Sequence, residues 1–314
     1  MGTQQHHLVT AVNYYLDRGD GEPPTPVYVG STKVANERPM VSTRVTVTDV
    51  TGAEDTFTLD SHGFAFHKHP SGETGFHDED VLRAEYYPEC EKLLRNFTGA
   101  SQVVAFDHKV RRGPAYWHKL GENNSTSRGP LRNAHVDQSY EGALIRLREV
   151  LSAEEAERVQ KGRWQIVNVR FSFSHSPFVS QQMCTLARPA WREMLSNMGS
   201  AFMSTQVWRP IKTIRKDPLA VADATSVDED DLVAASIIYA RSGRRMESWT
   251  VKANPKHRWY FKYGMRPDEV VLIKCFDSDE TAAARRVPHC AVEDPDATDA
   301  ECRESVEVRC MLFY

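Results

Sequence analysis

Residues 132–139 read RNAHVDQS, and residues 287–305 read VPHCAVEDPDATDAECRES. His135 and Asp137 are one residue apart, so if HVD is extended both side chains leave the same face of a strand and can reach one ion. His289 opens a β-rich run near the other end of the chain and supplies a third ligand. Two histidines and one carboxylate on one face of an octahedral ion leave three positions open, which suits iron(II) binding a bidentate co-substrate and dioxygen; zinc more often closes its sphere. Arg303 follows His289 by 14 positions, and Arg303 and Ser305 stand at alternate positions of the last strand. A guanidinium fork beside a hydroxyl matches the distal carboxylate of 2-oxoglutarate. His257, within NPKHRWYFKYGMRPDEV, competes as third ligand. It lies 46 positions before Arg303 in a stretch that reads as a loop, so His289 is preferred and both stay open. His67 and His69, in HKHPSG, read as a surface pair on a turn.

Around these residues the chain is mainly β with flanking helices. TPVYVGST, VSTRVTVTDVTG and DTFTLDS alternate between turn residues and predict an antiparallel N-terminal layer. The spacing of Val81, Leu82, Tyr86, Tyr87, Cys90, Leu93 and Leu94 predicts a helix over 77–96 with Asp78 or Asp80 as its cap. A strand, QVVAFDHKVRR, follows it. Residues 111–131 have the Gly, Asn and Ser content of a long loop over a site. Tyr140 to Val150 reads as helix, Ser152 with Glu155 as a capping box opening a second one, and WQIVNV as a buried strand. EVVLIKCFDS, VPHCAVED and ESVEVRCMLFY are three further β-rich runs, spaced as in a barrel or sandwich. The expectation is one domain over 1–314, with N-terminal strands and a helix in 1–100 and the core in 101–314.

Bulk properties narrow the partners. A net charge of -4 and a pI near 6.3 give no electrostatic reason to expect nucleic acid or an anionic membrane, so a small molecule is the default partner. The N-terminal stretch has no basic and apolar leader pattern, and no run of 18 apolar residues occurs, so the expected location is cytoplasmic. Six scattered cysteines without a CxxC pair read as reduced thiols. Asn96 and Asn124 sit in chance N-x-T patterns. No G-x-G-x-x-G or Walker-type loop occurs, which argues against a nucleotide-dependent enzyme or a Rossmann methyltransferase.

VNYYLDRG (12–19), VVAFDHKVRR (103–112), RNAHVDQS, VWRPI (207–211), KHRWYFKYGMRPDEVVLIKCFDS (256–278), VPHCAVEDPDA and RESVEVR span nearly the whole chain. Together they resemble the family of hydroxylases and desaturases that includes the aspergillic-acid-cluster hydroxylase, gibberellin-desaturase-like proteins and the cephamycin methoxylation protein. The resemblance implies a double-stranded β-helix (jelly-roll, cupin-like) oxygenase of secondary metabolism using Fe(II), 2-oxoglutarate and dioxygen. It also lends Tyr116, Trp208 and Arg209 to the catalytic pocket. One stretch departs from the family pattern: residues 170–206 separate VNV from Trp208 and are either an atypical insertion or a translated retained intron.

The expected chemistry is hydrogen abstraction from an unactivated C–H bond, ending in hydroxylation, desaturation, or an endoperoxide or new ring. Aromatics at 116–117 and 259–263 point to an apolar, ringed metabolite; a homodimer is left open. The rival class is a non-catalytic jelly-roll protein that binds a small molecule without turnover.

Overall fold

In SVEVRCMLF, Val306, Val308, Cys310 and Leu312 alternate with Ser305, Glu307, Arg309 and Met311, and the computed structural model places these nine residues in one strand, Ser305–Phe313. It describes residues 5–122, 124–167, 206–297 and 299–314. The Val306 series packs outward with the helix Tyr87–Thr98 in one apolar cluster. Ser305, Glu307 and Arg309 take the opposite, inward face, as the period of two requires.

Two sheets face each other. The larger has ten strands in the order Leu8–Tyr15, Met40–Asp49, Trp259–Phe261, Leu219–Ala222, His289–Ala291, His135–Val136, Arg245–Val251, Leu232–Tyr239, Val27–Val29 and Val34–Ala35. The smaller orders Phe64–Lys68, Glu269–Asp277, Trp164–Val167, Ser305–Phe313 and Gln102–Arg111, with Gln206–Pro210 pairing the same two strands as Trp164–Val167. This is the expected jelly-roll arrangement. Glu269–Asp277 is buried along its whole length, which explains its nearly continuous apolar run.

The predicted helix over 77–96 begins at Glu79, with the Asp78 carboxylate accepting from the Asp80 and Val81 amides. Its middle, Leu82–Tyr86, is a single π-turn, and it closes on Gly99 in the left-handed region, where a side chain would be strained. Tyr140–Val150 is helical, and Ser152 and Glu155 form their capping box.

Two readings change. DTFTLDS is a short 3-10 turn, Glu54–Thr56, followed by a tight turn, and the strand comes later at Phe64–Lys68. The N-terminal strands form no separate layer. Met40–Asp49 runs parallel to Trp259–Phe261 within the large sheet, a pairing that only the folded chain brings about. The segment 170–206, apart from Gln206, lies outside the described residues.

Candidate active site

His135 and His289 are direct cross-strand partners in the large sheet, with ring centroids 4.5 Å apart. Asp137 follows two positions after His135. The three offer one ligand atom each within 4.8 Å of one another. His135 Nδ1 donates to the Asn133 carbonyl at 2.8 Å and His289 Nδ1 to the Val287 carbonyl at 3.1 Å, in the tautomer this geometry favours. Each histidine therefore turns Nε2, with its lone pair, toward the carboxylate: His135 Nε2 stands 3.8 Å from Asp137 Oδ1 and His289 Nε2 3.6 Å from Asp137 Oδ2.

His135 Nε2, His289 Nε2 and Asp137 Oδ2 are buried and make no hydrogen bond. Three converging buried acceptors without donors are costly in a folded protein unless a cation joins them. Metal bonds of about 2.1 Å at right angles put neighbouring ligand atoms roughly 3 Å apart, so the trio closes on an ion with small side-chain movements. The donor set of two imidazoles and one carboxylate fits iron(II).

Burial, with the neighbouring His289, holds the His135 imidazole down to about 4, so it stays neutral near neutral pH. Burial would raise the Asp137 carboxyl, but Arg309 and the two histidines outweigh it and hold it well below the carboxylate range. Arg309 Nη2 lies 3.3 Å from Asp137 Oδ1 and 2.5 Å from Glu307 Oε1, while Nη1 reaches Asp107 Oδ2 at 2.7 Å. The guanidinium thus orients the carboxylate from behind. Sequence reasoning missed Arg309, Glu307 and Asp107. Their signal was present, since the alternation that selects Ser305 also selects Glu307 and Arg309.

Arg303 is 3 % exposed, donates from Nη1 to the Asp217 carbonyl at 2.7 Å, and lies 5.6 Å over the Trp208 ring. Its Nε and the Ser305 hydroxyl are buried and unpartnered. Burial brings the Arg303 guanidinium down to about 10, still charged.

Trp208 is 1 % exposed within the core and supports Arg303 without lining the cavity beside the trio. Arg209 does not face the site. Alternation within Gln206–Pro210 sends it to the other side of the small sheet, where it donates to Tyr86 Oη at 2.8 Å, the Pro267 carbonyl at 2.9 Å, the His69 carbonyl and ring, and Glu89. His69 is accordingly a structural acceptor for this guanidinium, not part of a free surface pair. Tyr116 is 61 % exposed and lies off the cavity; its neighbours Trp117 and His118 line it. His257 is not part of the trio and is bonded to Tyr14 Oη at 3.1 Å and Asp231 Oδ2 at 3.0 Å.

The cavity beside His135 and Asp137 measures about 180 Å3 and opens between the two sheets. Valine, leucine, isoleucine and methionine side chains line it together with arginines and a lysine.

The chain matches the family model described as an oxidoreductase/YMDC permease-like domain over residues 12–188 and 179–313. It is 31% identical to the hydroxylase/desaturase efuI of Hormonema carpetanum over 97% of this chain and 94% of that protein. It is 32% identical to the alpha-ketoglutarate-dependent dioxygenase phiK of a fungal species (strain ATCC 74256), over 82% of this chain and 80% of the other. The chain belongs to this family of hydroxylases and desaturases. It is an iron(II)- and 2-oxoglutarate-dependent oxygenase of secondary metabolism, with dioxygen as oxidant. In fold it resembles the iron and alpha-ketoglutarate-dependent endoperoxidase NvfI, with a TM-score of 0.74 at 21% identity, over 100% of this chain and 99% of that one. Among the described residues no helix is long and apolar enough to cross a membrane.

Proposed function

We propose that His135, Asp137 and His289 hold the iron, that Arg303 and Ser305 take the distal carboxylate of 2-oxoglutarate, and that the 180 Å3 cavity holds a small metabolite with an apolar, ringed body. The observation carrying this reading is the set of three buried, unpartnered ligand atoms converging on one point. When bound, the iron and its co-substrate activate dioxygen for hydrogen abstraction from a C–H bond. The carbonyls of Asn133 and Val287 fix the imidazoles in the tautomer that presents Nε2, and Arg309 keeps Asp137 ionised and aimed. The apolar side chains of the lining exclude water and present one bond of the substrate. Hydroxylation, desaturation, or an endoperoxide or ring-forming outcome then depends on where that bond lies. The cysteines are scattered with no CxxC pair, which supports a reducing, cytoplasmic setting.

Anaerobic titration with iron(II) and 2-oxoglutarate, followed by the charge-transfer absorption of the complex, tests the assignment. The band is expected in the unmodified protein and in His257→Ala, and absent in His289→Ala. Arg303→Gln should retain iron and need about tenfold or more additional 2-oxoglutarate, the loss of a charge-assisted contact. A band that survives in His289→Ala refutes the ligand set.

A further inference from the structure

The cavity beside the trio carries more positive charge than the metal site uses. Arg38, Lys109, Arg111, Arg128, Arg146 and Arg309 all line it. Arg309 is matched by Asp137, Glu307 and Asp107, and Lys109 stands 3.8 Å from that same Asp107. Arg146 pairs with Glu149 at 3.0 Å, and Arg38 is satisfied by the Thr25 and Ser236 carbonyls at 2.9 and 2.8 Å.

Two guanidiniums remain. Arg111, 5 % exposed, gives one hydrogen bond, to the Gly129 carbonyl at 2.7 Å, and its buried Nε has no partner. Arg128 accepts through its backbone carbonyl from the Arg112 and Gly113 amides, but its guanidinium makes no hydrogen bond or ion pair among the described residues, and burial lowers its pKa. His118, stacked on Trp117 with centroids 3.7 Å apart, has both ring nitrogens buried and unbonded; burial and Arg128 hold it at about 4, so it is a neutral donor. A cation in a partly dry wall is costly until an anion meets it. Val29, Leu131, Ile237 and Met246 line the same cavity.

We propose that the substrate carries a carboxylate, which docks on Arg128 and Arg111 while its apolar body lies against Val29, Leu131, Ile237 and Met246. This rests on the oxygenase reading and refines it: the substrate is an amphipathic acid, not a wholly apolar ring system. The other carboxylate source is 2-oxoglutarate itself, whose distal group is assigned to Arg303 and Ser305, neither of which lines this cavity.

The test uses the full chain loaded with manganese(II), which does not turn over, and saturating 2-oxoglutarate. Naphthalene-1-acetate and its near-isosteric neutral amide are titrated calorimetrically. The acid should bind at least about tenfold more tightly than the amide, the scale of a charge-assisted contact. Arg128→Gln should abolish that preference, and Arg128→Lys should keep part of it. Equal binding of acid and amide by the unmodified protein, or binding of neither, overturns the proposal. So does an Arg128→Gln variant that loses affinity for 2-oxoglutarate and keeps its preference for the acid, since the cations would then serve the co-substrate. The iron(II) and 2-oxoglutarate band, recorded on the same unmodified protein, reports separately on the oxygenase reading.

Discussion

Removing residues 168–205 and joining Val167 directly to Gln206 should leave both sheets and the site intact. Trp164–Val167 and Gln206–Pro210 occupy the same strand position between Glu269–Asp277 and Ser305–Phe313. On one side Val167 pairs with Lys274 and Gln206 with Ile273, which are consecutive. On the other, Val167 pairs with Cys310 and Val207 with Val308, leaving Arg309 opposite Gln206. Both neighbours therefore place Val167 and Gln206 in adjacent register, and the junction WQIV–QVWRP needs no shift of pairing. Bringing together the ends of a connection of about 38 residues costs chain entropy near (3/2)RT ln n, roughly 3 kcal/mol. For a domain of this size that corresponds to a rise in Tm of up to about 6 °C. Thermal unfolding of the full and shortened chains measures it, with the iron(II) and 2-oxoglutarate band as a check on the site. A shortened chain that is insoluble, melts several degrees lower or loses the band would show that 168–205 belong to the barrel wall. Sequencing the transcript then separates an insertion from a retained intron: a spliced message lacking these codons identifies the shorter chain as the native product.

Two further outcomes follow from buried groups. Arg209→Met removes the donor to the buried Tyr86 Oη and to the His69 and Pro267 carbonyls, so it should cost about 1–3 kcal/mol in urea unfolding while the surviving folded protein binds iron normally; an iron defect at unchanged stability would return Arg209 to the site. His108 is held down to about 4, chiefly by burial and against the pull of Asp107, so the folded chain keeps it neutral where the unfolded chain, at about 6.5, takes a proton. Its contribution is complete above pH 6.5 and is lost as pH falls toward 4. His108→Gln, which can still reach Tyr87 Oη, should flatten the pH dependence of stability in that window by up to about 1.4 kcal/mol per pH unit, and an unchanged slope in urea midpoints between pH 7 and 4.5 would be contrary.

The strand Ser305–Phe313, the helices at 79–98 and 140–150 and the capping box at Ser152 were legible because each depends on local periodicity or on a cap a few residues away. DTFTLDS alternates like a strand but enters no strand pairing among the described residues. Arg209 and Trp208 show the limit of alternation. The period of two separates neighbours onto opposite faces, yet in a sheet covered on both sides it does not say which face holds the site. The same ambiguity hid the row Asp107, Lys109 and Arg111 on Gln102–Arg111. Within the loop, exposure could not be read from residue type: Tyr116 points to solvent and Trp117 inward.

The sequence by itself determined the residue types able to hold iron and a dicarboxylate, the spacing that puts His135 and Asp137 on one face, and the strand-rich pattern of a jelly roll. Tertiary structure decided the rest. Only the register of two strands 154 positions apart sets His289 opposite His135 and leaves His257 bonded to Asp231. Only the closing of the sheets gathers Arg111, Arg128 and Arg309 around one cavity. Long-range pairing is fixed by the burial of two faces at once, a property of the assembled layers that no short stretch of chain possesses.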